Sequence, residues 1–449
     1  MTVPDRLLSG WSGVPATPGR FIEPPDAETL CQAVGLGESY IARGAGRSYG
    51  DAAHGDDLTV STRRLTRLLA FDRDTGIVAC ESGMLLATLI RLTAPCGWVP
   101  HAIPGTSAVT VGGMIAADVH GKDQRLNGTF GSHLISLTLL HGDGSVAQCS
   151  PIERAELFEA TVGGMGLTGL ILTAKFKLQH TPSTRVVSNH WCTGDLEETV
   201  EALDSASSAG AAVAWIDAMA LGSRRGRGIV HRGRFHDGSD HRATGGTPER
   251  VSPVEGFFPR SRLPLFTSAG LVKVLNRLHW SSSRLTRRKR VQSMAHFFFP
   301  LDRARWLFAM YGANGFVQFH CVIPRTLATE TVGALLECIS ESGVPCPLAA
   351  LKSMGDRSGG ILSFPMDGLS LAADLAMNRR RTPALYRDLE AILLGAGGRI
   401  YMAKDALMSP ESLNSGYPEI HRFRNVIESL PGANRLRSRL SVRLGIQAE

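Results

Sequence analysis

The sequence has few aromatic residues, no long apolar run and no paired cysteines. Phe, Trp and Tyr make up 6% of its 449 residues, which disfavours a broad base-stacking surface for nucleic acid. No run of about 18 apolar residues is present, so we expect no membrane-spanning helix. The first residues, MTVPDR, lack the apolar core of a secretory signal. We therefore expect a cytoplasmic protein that binds no nucleic acid.

Metal sites and several catalytic signatures are also missing. The eight cysteines are scattered without a C-x-x-C pair or a zinc-like spacing, so we expect reduced thiols of a cytosolic protein. His101, His133 and His141 have no metal-ligand partners at useful spacing, and we expect no bound metal. No H-E-x-x-H or P-loop occurs, which disfavours zinc metalloproteases and P-loop kinases.

The length and the rhythm of the chain predict two domains of α+β class. A chain of 449 residues is too long for one ordinary core. Short strands and short helices alternate through residue 180 without a regular β-α-β repeat, and the composition shifts near Thr181. Residues 223–256 are rich in Gly, Arg, His and Asp, which predicts a long exposed loop. The net charge of +7 suits an anionic ligand or membrane surface, or an ordinary enzyme from an Arg-rich proteome.

The most informative segment is a Gly-rich turn that follows a short apolar run. Glycine lets a ligand approach the main chain, successive N–H groups form an anion site, and arginine adds forked donors for phosphate. We interpret this turn, the cradle loop, as a pyrophosphate site, with an ordinary Gly-rich hairpin as the alternative. A second, uncharged Gly-rich segment from Pro104 to Gly113 supports a site for one extended cofactor. The cradle loop comprises Arg43, Gly44, Ala45, Gly46, Arg47, Ser48, Tyr49, Gly50 and Asp51.

Three further motifs each leave two interpretations open. Gly164–Gly169 matches G-x-G-x-x-G, but a helix precedes it and a strand follows, so a tight turn near a ligand is favoured over a dinucleotide fingerprint. His120-Gly121-Lys122 could face an electron-rich ring, or its histidine could be an ordinary loop residue. The basic run Arg284–Arg290 could meet anionic lipid headgroups, or form a solvated face.

These segments, in this order, resemble FAD-binding flavoproteins of the vanillyl-alcohol-oxidase type, also called PCMH-type. Within that family the chain is most similar to the decaprenylphosphoryl-ribose oxidase-like branch, whose members are flavoenzyme subunits of two-protein epimerases. The resemblance covers nearly the whole chain and is most specific in its N-terminal half. Its strongest stretches are Ala42–Asp51, Val109–Gly113, His120–Lys122, Gly166–Gly169 and Tyr401–Asp405.

The resemblance implies a two-domain FAD-binding fold. Residues 1–180, completed by the tail 405–449, would form the FAD-binding domain. Residues 181–404 would form a substrate domain whose antiparallel sheet covers the flavin ring. Arg47 stands where some relatives carry a histidine that tethers flavin, so we predict non-covalent FAD. Beyond the cradle loop, the residues expected to line FAD are Gly105, Thr110, Val111, Gly112, Gly113, Ala117, Asp118, Val119, His120, Ile171 and Tyr401.

The implied chemistry is hydride removal from a sugar carbinol, which requires a base or a strong hydrogen-bond partner for the hydroxyl proton. Lys404 and Lys352 match family lysines near the sugar and the flavin. A lysine acts as a base only if its pKa is lowered; otherwise it orients the hydroxyl or stabilises negative charge on reduced flavin, and we favour this second role for both. Gln318 and His320 would line the substrate face as the remaining catalytic candidates.

The function implied is oxidation of the 2′-hydroxyl of a polyprenyl-phospho-pentose to a ketone. A separate NAD(P)H-dependent short-chain reductase would complete the epimerisation, and the enzyme would contact the inner face of the membrane peripherally. Ala372, Phe298 and His320 replace a family cysteine, tyrosine and glutamine, which indicates a side branch. One alternative is an aldonolactone or alditol oxidase using oxygen. Another is a non-catalytic flavoprotein subunit that binds a partner or membrane through Arg284–Arg290 and Arg435–Arg443.

Overall fold

Two sheets are built from the first 177 residues. A computed structural model describes residues 5–34, 38–237, 265–286, 289–303, 308–356 and 358–447. The first sheet has the order β1-β2-β4-β3 and the second the order β5-β6-β10-β8-β9. Their strands are β1 (Asp5–Ser9), β2 (Ala16–Ile22), β3 (Tyr40–Arg43), β4 (Leu58–Ser61), β5 (Leu68–Phe71), β6 (Ile77–Glu81), β8 (Leu134–Leu140), β9 (Val146–Cys149) and β10 (Leu170–Lys177). A separate pair joins β7 (Trp98–Val99) to β11 (Gln179–His180).

The third sheet has eight strands, all antiparallel, in the order β15-β12-β14-β13-β17-β18-β16-β19. These are β12 (Arg185–Thr193), β13 (Ala211–Ile216), β14 (Gly228–Phe235), β15 (Lys289–Ser293), β16 (Phe316–Pro324), β17 (Leu348–Met354), β18 (Gly368–Ala376) and β19 (Arg399–Ile400). The architecture is α+β, as predicted, because the second and third sheets are antiparallel and need no helical crossovers, while the first sheet alone has parallel pairs, β2 with β4 and β3 with β4. The sheet changes between β11 and β12, near the predicted boundary at residue 180; the boundaries themselves stay a prediction.

The helices are short, and the longest described ones have 15 residues. No described helix has the length and the apolar character needed to cross a membrane. They are α1 (Ala27–Val34), α2 (Leu86–Thr93), α3 (Val111–Ala116), α4 (Gln124–Asn127), α5 (Ala155–Thr161), α6 (Leu196–Ser207), α7 (Ala269–Ser283), α8 (Met294–Phe298), α9 (Pro300–Arg303), α10 (Ala328–Glu341), α11 (Arg381–Gly395), α12 (Pro410–Gly416), α13 (Ile420–Ser429) and α14 (Arg439–Arg443).

The prediction of an exposed loop at residues 223–256 is wrong for the first part of that range. Gly228–Phe235 forms β14 in the third, eight-stranded sheet, which we call the large sheet, between β12 and β13. Ile229 and Val230 are buried there, and Gly233 leaves room for the Phe297 ring, which a Cβ would meet at 2.5 Å. Glycine and polar residues can occupy a central strand when its neighbours supply the bulk. Residues 238–256 lie outside the described residues, as do Arg287 and Arg288 of the predicted basic run.

The C-terminal tail returns to the first sheet and is tied to it by its arginines. Leu436 bridges to Tyr40, and Ser438 bridges to Gly55. The Arg435 guanidinium donates to the carbonyls of Glu38 and Gly142. The Arg443 guanidinium, at the other end of the predicted basic docking surface Arg435–Arg443, donates to Asp51 and Asp405. The arginines at both ends of this surface thus bind within the chain, and docking of a partner there stays a prediction. The assignment of the tail to the FAD-binding domain likewise stays a prediction.

Candidate active site

One cavity lies between the Gly-rich loops and the large sheet. It measures about 1320 Å³, counted out to its open mouth. One wall consists of the cradle loop and the second Gly-rich segment. We call the opposite wall, formed by His320 on β16, Lys352 on β17 and Lys404 after β19, the lysine wall. The cavity therefore brings together segments that lie more than 300 residues apart in the chain.

The cradle loop has the close contacts that only glycine allows. A Cβ on Gly44 would lie 2.1 Å from Thr110 Oγ1. Gly46 has φ +64°, and its Cβ would lie 2.3 Å from Arg43 Nη2. Larger residues are excluded at both positions, by contact at the first and by contact and backbone strain at the second. The loop thus presents bare main chain to the cavity, as a cofactor cradle requires.

The second Gly-rich segment ends in the first turn of the short helix α3, Val111–Ala116. Thr110 caps this helix, its Oγ1 accepting from Gly113 N at 3.2 Å. Gly112 N donates to Ser82 O at 2.8 Å, and a Cβ on Gly112 would lie 2.8 Å from Ser82 Cβ. Gly166, in the predicted tight turn before β10, has φ +82° and also lines the cavity. The turn follows α5 and precedes a strand, which is the reverse of a dinucleotide fingerprint.

The lysine wall holds the ammonium groups of two half-buried lysines, Lys352 and Lys404. Burial lowers the pKa of Lys352 to about 8, against a weaker opposing effect of Asp123. Burial also lowers the pKa of Lys404, and Asp374 opposes this shift. The Lys404 Nζ lies 3.8 Å from the centre of the Tyr49 ring, a cation–π distance. Both lysines thus titrate nearer neutrality than an exposed lysine, which has a pKa of about 10.4.

Two histidines complete the polar lining. His120 and His320 are buried with ring centres 5.5 Å apart. Burial and the neighbouring lysines hold the pKa of each histidine well below its usual range, so both are neutral. His320 Nε2 lies 2.9 Å from Ser370 Oγ, while Nδ1 of each ring has no hydrogen-bond partner among the described residues. Tyr401 closes this side, its hydroxyl donating to Ala117 O at 2.7 Å.

Most of the predicted site residues line this cavity. Lys404, Lys352 and His320 do so among the catalytic candidates. The cofactor candidates in the lining are Gly44, Ala45, Gly46, Arg47, Ser48, Tyr49, Gly105, Thr110, Gly112, Gly113, Ala117, Val119, His120, Ile171 and Tyr401. Their roles stay predictions, since geometry alone places them without showing what they bind.

Some predicted residues lie behind the lining. Arg43 donates to Ser9 O at 2.8 Å and lines a neighbouring cavity. Asp51 accepts from Arg443 at 2.8 Å. Asp118 accepts from Gly131 N at 3.0 Å, and Gln318 donates to Asp374 at 2.5 Å. Gly50 and Val111 are likewise outside the lining. These residues support the wall, and the sequence motif could not separate support from contact.

Sequence reasoning missed two polar residues of the site, Ser82 and Asp374, and did not show where Lys122 of the predicted His120-Gly121-Lys122 motif lies. Ser82 lines the cavity, and its buried hydroxyl has no partner among the described residues. Asp374 lies behind the lysine wall, where burial raises its pKa. Lys122 is buried behind it, and burial followed by the charge of Lys352 lowers its pKa to about 7. A lone acid within the apolar strand LSLAADLA was the one available signal for Asp374.

The residues present fit an extended, partly anionic cofactor such as FAD. Two glycine-lined backbone segments meet at Gly44 and Thr110, and an adenine dinucleotide needs such close approach to main-chain N–H groups. The Ser82 hydroxyl and the Nδ1 atoms of His120 and His320 have no hydrogen-bond partner among the described residues. Because a buried polar group without a partner costs folding free energy, these atoms are suited to hydrogen bonds with a bound ligand. The cavity thus has the donor and acceptor set of a flavin dinucleotide site.

Comparison with known proteins decides the family. Residues 20–150 match the model of an FAD-binding domain. The chain is 32% identical over 441 residues to the decaprenylphosphoryl-beta-D-ribose oxidase of Mycolicibacterium smegmatis, covering 95% of this chain and 94% of the relative. The chain belongs to the vanillyl-alcohol-oxidase type of FAD-linked oxidases, in the family of that enzyme. It is an FAD-dependent oxidoreductase that acts on CH–OH groups, as predicted.

Two other relatives show how far the similarity extends. A Streptomyces coelicolor protein, described as an uncharacterized protein in the mprA 5′ region, is 29% identical over 80% of this chain and 100% of its own length. Bovine L-gulonolactone oxidase is 29% identical over 42% of this chain and 43% of its own. Similarity to the lactone oxidase thus covers less than half of either protein, whereas similarity to the ribose oxidase covers both the cradle loop and the lysine wall.

Proposed function

We propose that this protein oxidises a sugar hydroxyl, namely the 2′-hydroxyl of a polyprenyl-phospho-pentose, to a ketone as the first half of an epimerisation. The observation that carries the proposal is the pair of half-buried lysines, Lys352 and Lys404, which line the same cavity as the glycine cradle. Near-complete coverage by a relative named for decaprenylphosphoryl ribose supports the substrate class. A separate NAD(P)H-dependent short-chain reductase would return the ketone to the epimeric alcohol.

The chain's own residues would divide the work between holding the cofactor and holding the hydroxyl. FAD, bound without a covalent link, supplies a two-electron acceptor for the carbinol hydride. The cradle loop and Gly112–Gly113 would hold the dinucleotide through main-chain N–H groups. The Lys352 and Lys404 ammonium groups would orient the sugar hydroxyl and offset negative charge that develops near the ring. His320, neutral and anchored at Nε2 near Ser370 Oγ, would complete the polar surface toward the substrate, with Gln318 positioned behind it.

The lowered lysine pKa values make the roles testable by pH. If protonated lysines orient the hydroxyl, the rate of flavin reduction falls as pH rises through about 8, the pKa of Lys352. If a neutral lysine instead takes the hydroxyl proton, the rate rises over the same range. We propose the first dependence, because charge on both ammonium groups also favours binding of a phosphate-bearing substrate.

We also propose that the two predicted domains correspond to the two walls. Residues 1–180 with the tail 405–449 would bind FAD, and residues 181–404 would cover the ring and hold the substrate. The hydrogen bond from Tyr49 N to Ala403 O, 2.9 Å long, joins the walls beside Lys404. A lipid-linked substrate would be presented at the cytoplasmic face of a membrane, where the protein would bind peripherally.

The test is anaerobic bleaching of bound flavin with a small substrate panel. The panel pairs polyprenyl-phospho-ribose and polyprenyl-phospho-arabinose with a soluble aldonolactone and a soluble alditol. We expect bleaching by a polyprenyl-phosphate pentose and none by the soluble compounds. Bleaching by the lactone or alditol alone, with hydrogen peroxide released in air, would favour the alternative function of an aldonolactone or alditol oxidase. The partial similarity to L-gulonolactone oxidase supports that alternative. Bound flavin that no sugar reduces would favour a non-catalytic subunit.

A further inference from the structure

Helix α7 carries an apolar face whose side chains are exposed. Leu271, Val274, Leu275 and Leu278 recur at helical spacing and are 36–59% exposed. Only Val272 and Asn276 are buried along its 15 residues. Of the sixteen exposed large hydrophobic residues among those the structure describes, seven lie between Leu265 and Val291. Such clustering is unusual on a monomer surface and marks an interaction site.

The opposite side of α7 is hydrogen-bonded to residues in and beside the large sheet. These hydrogen bonds fix the orientation of the apolar face. Asn276 Nδ2 donates to Asp217 Oδ1 at 3.0 Å, and Trp280 Nε1 donates to Thr193 O at 3.0 Å. The helix therefore cannot roll to bury its leucines without breaking buried hydrogen bonds. Its outward face is a fixed feature of the folded chain.

The segment that carries this face has Lys and Arg but no acidic residue. Residues 265–286 and 289–301 contain five basic side chains and no Asp or Glu. In the sequence, the segment Gly256–Leu301 holds nine Lys and Arg and no acid, so it carries more positive charge than the whole chain's net +7. On the helix, Lys273, Arg277 and Arg284 follow one flank, between the fastened side and the apolar face. Two copies of such a surface would repel each other, whereas an anionic surface would attract it.

The same segment leads directly to the cofactor cavity. After α7, strand β15 pairs with β12, and α8 and α9 follow. Leu301 in α9 lines the cavity, and its N–H donates to Gly105 O at 3.3 Å. A surface that rests on a bilayer through α7 would therefore be connected, within one short stretch of chain, to the wall of the candidate active site.

We propose that α7 is an interfacial anchor that binds the surface of an anionic phospholipid bilayer. Leu271, Val274, Leu275 and Leu278 would enter the headgroup–acyl boundary, and Lys273, Arg277 and Arg284 would contact lipid phosphates. This names the surface behind the membrane contact proposed above and takes its purpose from that proposed function. Vesicle binding is measured without substrate, so failure here and failure of the flavin-bleaching test are distinguishable.

The test is flotation of the FAD-loaded protein with vesicles of phosphatidylcholine, with or without phosphatidylglycerol. We expect binding to the anionic vesicles that weakens as salt is raised. Leu278→Asp should weaken binding by at least about tenfold, because an apolar contact is lost and a like charge is added. Arg277→Gln and Arg284→Gln should each weaken it by about fivefold. Flavin content and circular dichroism should stay unchanged, since all three side chains are exposed.

The matched control is Ile152→Asp, which places the same charge at another exposed hydrophobic residue, 97% exposed. This variant should bind vesicles like the wild type. The proposal is overturned if the wild-type protein binds neither vesicle type, or if Leu278→Asp and Ile152→Asp bind equally. It is also overturned if Leu278→Asp leaves vesicle binding intact but dissociates a dimer in sedimentation velocity, because the occupant of the face would then be a second copy.

Discussion

The two walls of the cavity are built on opposite physical principles. The cradle wall offers main chain, and its defining residues, Gly44, Gly46 and Gly112, contribute no side chain at all. The lysine wall offers the side chains of Lys352 and Lys404. Their removal from solvent lowers the pKa of each ammonium group. Backbone contacts bind a fixed, rigid group, whereas titratable side chains respond to the charge that develops during a reaction.

The difference between the walls suggests that the affinity for FAD and the reaction of the substrate can be changed separately. The cradle wall should decide whether FAD is bound, and the lysine wall should decide what happens to a bound substrate. The two walls meet where Tyr49 contacts both Ala403 and Lys404. Changes to one wall should therefore leave the property of the other intact, except at this meeting point and in the residues that support it.

The sharpest test of this separation is Lys404→Met. Loss of the ammonium should lower the rate of flavin reduction by sugar about 10²–10³-fold, the usual cost of removing one positioned donor that stabilises developing negative charge. Flavin content should not change. Stopped-flow flavin reduction and the absorbance ratio of the purified protein measure the two properties. Lys175→Met, at an exposed lysine on β10, serves as the control and should reduce flavin like the wild type. Loss of flavin in Lys404→Met would break the separation.

Arg443→Met tests the support that both walls share. The Arg443 guanidinium donates to Asp51 and Asp405, each at 2.8 Å, and Asp405 is fully buried. Removing the cation strands a buried carboxylate, so we expect a loss of about 3–5 kcal/mol in the free energy of unfolding. Urea denaturation measures it. Arg380→Met, at an exposed arginine, should change stability by less than about 0.5 kcal/mol. Equal effects of the two variants would refute the shared-support role.

Gly44→Ala tests the cradle wall alone. The new Cβ would lie 2.1 Å from Thr110 Oγ1, the atom that caps α3, so loop and cap must separate. We expect the dissociation constant for FAD to rise by about tenfold or more, equivalent to about 1.4 kcal/mol, with normal reduction rates in the molecules that retain flavin. Fluorescence titration of apoprotein with FAD measures the affinity. Gly395→Ala, where nothing lies within 4 Å of the new Cβ, should bind FAD normally.

Lys352→Met should stabilise the folded apoprotein at neutral pH. Burial lowers the pKa of Lys352 from 10.5 to about 8, so below pH 8 the folded state carries the full penalty of a buried charge. We expect Met, of similar size, to add about 1–2 kcal/mol there. The gain should shrink between pH 8 and 10.5, as the wild-type lysine loses its proton, and vanish above that. Thermal unfolding against pH measures it, and a gain that grows with pH would contradict the burial argument.

Much of the fold and the cradle was predictable because local rules produce them. Gly142-Asp143-Gly144 has the residues typical of a tight turn, and it joins β8 to β9. Glycine-rich loops are visible in a sequence, since their cause is local backbone geometry. The strand at Gly228–Phe235 was missed because its bulk comes from neighbouring elements such as Phe297. The internal contacts of Arg435 and Arg443 were missed because a charge run does not show what it faces.

The sequence by itself determined the Gly-rich loops, the α+β class and, through resemblance, the flavoprotein family. Only the tertiary structure decided which polar residues share a cavity. Ser82, Lys352, Asp374 and Lys404 come from separate segments of the chain. Burial shifts the pKa values of the two lysines and the aspartate, so their chemistry exists only in the folded protein. The uncovered face of α7 was decided in the same way. Its leucines would read as core in any amphipathic helix, and only packing shows that the other side of the helix is the one that is fastened.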